Sequence, residues 1–168
     1  MNVFEAVRTV LAVRDYEDKS VPADVVWRIV ESARLTASSM NGQPWHFIVV
    51  DDREVLKKLG SLARTGPYIA KAALAVVVAI ENTKYSESDA SRAIQSMILT
   101  AWDDGVGSNW VGFYNLEQVK QLLGIPNELQ VIAIVPFGYP TRKIGAGKKK
   151  RKPLSEVVSK EKYGMPFK

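Results

Sequence analysis

The chain has 168 residues, 46% hydrophobic and 24% charged, which is the profile of a folded domain with a sizeable core rather than a disordered one. It has no cysteine, which excludes disulfides, thiolate zinc sites and cysteine nucleophiles, and its one histidine, His46, excludes a metal site built on two histidines of one chain. The net charge of +5 is local: residues 142–152 hold seven basic residues and no acid, against 16 basic and 18 acidic residues elsewhere, so the pattern points to an anion site or a solvated segment and away from a broad nucleic-acid face.

No basic start precedes a long apolar run at the N-terminus, and the longest apolar run, Ala72 to Ile80, is nine residues, too short to span a bilayer. The expectation is a cytoplasmic protein without membrane or nucleic-acid partners.

Phe4, Val7 and Leu11, widened by Val3 and Val10, predict a helix over residues 3–13. Arg14 and a turn-like charged stretch follow. Pro22 suits the first turn of a second helix, with Val25, Val26, Ile29, Val30 and Ala33 on one face. Next comes Ser38-Ser39-Met40-Asn41-Gly42-Gln43-Pro44-Trp45-His46-Phe47, running into Ile48-Val49-Val50. Small polar groups here precede a hydrophobic strand, 46–50, expected to be central. Pro44 moves Gln43 out of the right-handed helical region. Asp51, with Glu54 placed as in a capping box, predicts the next helix start. Thr65-Gly66-Pro67 ends that helix.

Residues 73–80 read as a strand covered on both faces. Residues 81–87 read as a polar loop. Ala93, Ile94, Met97, Ile98, Ala101 and Trp102 predict a helix over 90–102, stopped by Gly105. Residues 109–113 read as a short strand, and glycines at 105, 107 and 112 allow close backbone approach. Asn115 is a cap candidate for a helix over 116–123, and 129–137 is the last strand. The four strand candidates alternate with helical patterns, which supports a mixed α/β class. No linker divides the chain, so residues 1–168 are read as one domain with a basic C-terminal extension from about 141.

The stretch Ser-Ser-x-Asn-x-Gln-Pro-Trp-x-Phe before an aliphatic strand resembles the signature of the nitroreductase-like, flavin mononucleotide (FMN) dependent flavoproteins. Gly105-Val106-Gly107-Ser108, Gly138-Tyr139-Pro140 and the basic segment before Pro153-Leu154 are similar to that family as well. The resemblance covers about residues 3–164. It implies an α+β fold with a mostly antiparallel sheet packed between helices. It further implies an intertwined homodimer with FMN at the interface and NADH or NADPH as electron donor. The acceptor would be a nitroaromatic, a quinone or a similar electrophile, reduced by ping-pong turnover.

By the same resemblance, Ser38, Ser39 and Asn41 contact the ring edge or ribityl chain, from across the interface. Trp110, Val111 and Gly112 lie along the ring. The family has basic-basic-Ser-x-basic where this chain reads Val10-Leu11-Ala12-Val13-Arg14, so the phosphate load falls on Arg14, Lys149 and Arg151. No catalytic side chain is implied, because the flavin carries the chemistry. His46 is read as a core or interface residue rather than a base. The alternatives are a flavin-binding or flavin-modifying relative without such turnover, and a nucleic-acid-binding domain using residues 142–152.

Overall fold

The computed structural model describes residues 1–112, 116–142 and 149–167. The predicted strand end Phe113, the cap Asn115 and the basic residues Lys143 and Lys148 lie outside them. In chain order the elements are α1 (Val3–Thr9), α2 (Ala23–Arg34), β1 (Trp45–Val50), α3 (Arg53–Leu62), β2 (Leu74–Glu81), α4 (Ser86–Asp103), β3 (Gly107–Ser108), α5 (Leu116–Leu123), β4 (Leu129–Gly138) and α6 (Leu154–Val157).

The strands form one antiparallel sheet in the order β1-β2-β4-β3. Seven successive residues of β2 are buried, as its unbroken aliphatic run requires. Leu74, Val76, Val78 and Ile80 pack with Ile29 of α2 and Ile94 and Met97 of α4. Ala75, Val77 and Ala79 pack on the other face with Leu56 and Leu59 of α3 and Val119 of α5. The protein is therefore a sheet between two helical layers, the α+β architecture expected. Each fully buried aliphatic side chain contributes about 1.5–3 kcal/mol. The register slips between Val78 and Ala79, which pair with Ala133 and Val131. Ile132 is the bulged residue.

Several local expectations are corrected. The first helix ends at Thr9 rather than 13, because the chain beyond it is claimed by the sheet edge. Ala12 bridges Ser108 in parallel, and Val13 N–H donates to the Ser108 carbonyl at 2.9 Å. Pro22 precedes α2 instead of opening its first turn, and its carbonyl accepts from Val26 N–H. The strand after the polar loop, β1, is an edge strand, not a central one. The cap of α3 is Asp52 rather than Asp51: its Oδ1 accepts from the Glu54 and Val55 N–H groups at 3.0 and 2.9 Å. Helix α4 begins at Ser86, four residues early, because the buried Ser86 hydroxyl donates back to the loop carbonyls and accepts Thr83 N–H.

The strand predicted at 109–113 is instead β3 at 107–108 and a lone bridge, Val111 to Ile134. Both lie on one register, in which Asn109 falls opposite Pro136. Proline has no N–H to give, so the ladder lapses there.

Gly107 is where β3 and the N-terminal segment meet. A Cβ there would stand 2.3 Å from Val13 Cγ2 and 2.7 Å from Val13 Cβ. Val13 is itself buried and β-branched, so it cannot rotate away cheaply. Gly107→Ala is expected to cost about 1–3 kcal/mol of stability by overpacking, a fall of roughly 2–12 °C in Tm. Adding Val13→Ala relieves the 2.3 Å contact but keeps the residue-13 Cβ at 2.7 Å, so it should recover only part of the loss, which calorimetry of the single and double variants would show.

Candidate functional site

A cavity of about 710 Å³ lies between α1, the segment 10–12, α4 and the start of the chain after β3. That volume lies within the usual range for a small-molecule site. Val10, Leu11 and Ala12 form one wall, Gln95 and Ile98 of α4 another, and Ser108, Asn109 and Trp110 a third. Arg8, Lys149 and Arg151 converge on it. Three ties set this shape. Val13 is bonded to Ser108, Trp102 Nε1 donates to Thr9 Oγ1 at 2.9 Å, and Asn2 caps α1 by accepting Glu5 N–H at 2.8 Å.

The electrostatics are one-sided. Arg8 is held by Glu5, with Nη2 to Oε2 at 2.7 Å. That bond and the charge of Arg8 keep the Glu5 carboxyl below its ordinary range. Lys149 donates from Nζ to the Val7 carbonyl at 2.6 Å, and Arg151 from Nη1 to the Lys150 carbonyl at 2.9 Å. Among the described residues, neither forms an ion pair with an acid. Desolvation lowers the pKa of Lys149, with the Arg151 charge adding to the effect.

Of the residues singled out from sequence, Trp110, Lys149 and Arg151 come together in this cavity. Arg14 lies in an adjoining depression with Asp15, Pro140, Thr141 and Arg142, and Ala12 is common to both. Val111 is buried and bonded on both sides to Ile134, with its side chain against Gly66 in the layer of α3 and α5. Gly112 sits where a Cβ would stand 2.7 Å from both the Ile132 carbonyl and Trp110 Nε1. Ser38, Ser39 and Asn41 do not line the cavity of their own chain; they lie beside the first turns of α4. His46 is exposed on β1.

Sequence reading missed Arg8, Gln95 and Asn109. Arg8 and Gln95 are outward positions of helices, and nothing in their spacing marks them. Asn109 was legible only as a polar residue between glycines. It is nearly buried, and Nδ2 donates to the Tyr68 hydroxyl. Among the described residues, no group of His, Asp or Glu could hold a metal ion, and no helix is long and apolar enough to cross a membrane.

The antiparallel sheet between helical layers is a fold shared with solved structures. An FMN-dependent nitroreductase of Clostridium difficile R20291 superposes with a TM-score of 0.87 at 24% identity, covering 96% of this chain and 100% of the other. The chain belongs to the nitroreductase family: the family model described as "Putative TM nitroreductase" matches residues 2–168. A protein named "Putative NADH dehydrogenase/NAD(P)H nitroreductase" from Methanothermobacter thermautotrophicus is 32% identical over 154 residues, 86% of this chain and 81% of that one. One of the same name from Archaeoglobus fulgidus is 37% identical over 139 residues, 77% and 80% of the two chains.

The Asn109–Tyr68 bond fixes the wall that carries Trp110. Tyr68→Phe removes the acceptor and leaves a nearly buried amide short of a partner, at an expected cost of about 1–3 kcal/mol. Urea unfolding should show the midpoint lowered with an unchanged slope.

Proposed function

We propose that the chain is an NAD(P)H-dependent oxidoreductase that binds FMN in the cavity under Lys149 and Arg151. One observation carries this reading: two cations without acidic partners among the described residues overhang a partly apolar cavity walled by Trp110 in a chain of the nitroreductase family. FMN combines a flat apolar ring with a phosphate of nearly two negative charges. The residues present fit both ends. Trp110, Ile98 and Leu11 offer apolar surface to the ring. An ammonium has three donors. Lys149 uses one on Val7, so the others are available to an anion. Val10, Leu11 and Ala12 have no side-chain donor, and Arg8 on that side is paired with Glu5, so the phosphate falls to Lys149 and Arg151. Arg14 stands one depression away, where it acts on a phosphate through longer-range attraction.

The chemistry supplied by bound FMN is two-electron transfer at N5, from a reduced nicotinamide to an electrophilic acceptor such as a nitroaromatic or quinone. The protein's own part is to bind and orient. Trp110 would lie along the ring, and Ser108 and Asn109 would offer polar groups to its edge. Donor and acceptor use the same open side of the cavity in turn, which gives ping-pong kinetics. Steady-state oxidation of NADH or NADPH with an added nitroaromatic tests the reaction. FMN bound tightly without such turnover would favour a flavin-binding relative instead.

Arg151→Ala is expected to weaken FMN binding about tenfold or more, from loss of a charge-assisted contact of about 1.5–3 kcal/mol. Lys152, exposed and outside the cavity lining, is the control: Lys152→Ala should change binding less than about threefold. Fluorescence titration at two salt concentrations separates a placed contact from a diffuse basic cloud, which would make the two variants alike.

We further infer a homodimer. The apolar residues Val3, Phe4 and Val7 of α1 face solvent, with Phe4 72% exposed. Leu154, Val157, Tyr163, Met165 and Phe167 of the C-terminal segment do the same. Exposed apolar surface of this extent marks an interaction face. Light scattering at micromolar concentration should give twice 18.6 kDa. Phe4→Glu combined with Val157→Glu should shift it to monomer and lower FMN affinity.

A further inference from the structure

The Ser38–Gln43 loop follows an unusual backbone course. Met40, Asn41 and Gln43 all have positive φ, at 53°, 53° and 49°, and none is glycine. Such residues are uncommon singly, and three within four positions need a surrounding structure that holds them. Pro44 accounts for part of this, since it bars Gln43 from the right-handed region. The loop's own bonds account for more: Gln43 N–H donates to Ser38 Oγ at 2.8 Å, and Asn41 and Gly42 N–H to the carbonyls of Ser38 and Ser39.

What ties this strained turn to the body is one buried carboxylate. Asp89, in the first turn of α4, is 1% exposed. Its Oδ1 accepts from both Ser39 N–H and Ser39 Oγ at 3.0 Å, and from Arg92 Nη2 at 2.5 Å. Arg92 also donates to Ser39 Oγ at 3.3 Å. A carboxylate is rarely buried unless its lone pairs are used, and the helix N-terminus favours its charge. The helix does not need Asp89 as a cap, since it lies inside α4. Met40 is 89% exposed, and among the described residues the exposed side chain of Asn41 makes no hydrogen bond.

We propose that Asp89 is a positioning residue: it holds the Ser38–Gln43 loop in its left-handed course, presenting Met40 and Asn41 to the cofactor of a second copy of the chain. The proposal rests on the FMN reading of the cavity. It assigns to a residue outside the cavity the task of ordering the loop before binding, so that the cost of ordering is not charged against affinity.

The test uses the full chain in three variants. Asp89→Ala removes both carboxylate bonds to Ser39. Asp89→Asn keeps an acceptor for Ser39. Ala93→Gly, one turn further along α4 and fully buried, destabilises the same helix without touching the loop. FMN affinity is read by fluorescence titration, and the Ser39 amide by hydrogen exchange. Asp89→Ala should weaken FMN binding about tenfold and speed Ser39 exchange by at least as much. Asp89→Asn and Ala93→Gly should leave both within about threefold of wild type. Ser39 exchange unchanged in Asp89→Ala would overturn the latch. So would a loss of FMN affinity in Ala93→Gly equal to that in Asp89→Ala, since the effect would then be helix stability alone. If wild-type protein takes up no FMN, the cavity reading fails and the exchange data alone decide the latch. If Asp89→Ala does not fold, Ser39→Ala replaces it. It loses one of the two Ser39 bonds, and about threefold weaker FMN binding is expected; unchanged affinity with unchanged exchange at residue 39 would reject the proposal.

Discussion

Everything else in the molecule is arranged around the burial of β2 on both faces. A strand of unbroken Val, Ala, Leu and Ile cannot leave either side to water, so helices must cover both. That demand fixes α2 and α4 on one face and α3 and α5 on the other. It also decides where a cavity can exist. The sheet centre is fully buried, and the 710 Å³ cavity lies at the β3 edge. There the sheet runs out and α1, residues 10–12 and α4 close around the space.

The β3 edge is shaped by two features of backbone chemistry. Pro136 interrupts the ladder to the segment after β3, which frees Asn109 to bond Tyr68 and lets Trp110 stand in the cavity wall. Gly107 lets Val13 lie against the strand with no side chain between them. The ladder lapses at this edge, where the cavity lies, whereas β1, at the opposite edge, is regular over all six residues.

The charges divide along the same lines. Most arginines and lysines in ion pairs are matched three residues away on their own helix, as in Glu5–Arg8, Glu31–Arg34 and Glu54–Lys57. Such exposed pairs contribute little to stability. Lys149 and Arg151 are of another kind: they satisfy carbonyls, meet no acid among the described residues, and are brought from the far end of the chain to the N-terminal wall. The cavity thus has positive charge without acidic partners, among the described residues, beside apolar surface.

How much of this was legible follows from the range of the interactions. Continuous apolar runs and helical stripes are local, so β2, β4, α2 and α4 could be read to within a few residues from side chains alone. The polar loop, Trp110, Lys149 and Arg151 were legible through their resemblance to a family, which carries information that spacing does not. What could not be read was settled by partners distant in the chain. Helix α1 stops at Thr9 because Ser108 takes the backbone of residues 12 and 13. The 109–113 strand breaks because Pro136 lies opposite. Ser39 is bound because a carboxylate fifty residues on is buried beside it. The sequence by itself determined which segments must be buried, since that depends only on the apolar content of each stretch. Tertiary structure alone decided which of them became edges, where the ladder failed and which cations were left without acids, because each of those outcomes depends on what a residue meets across the fold.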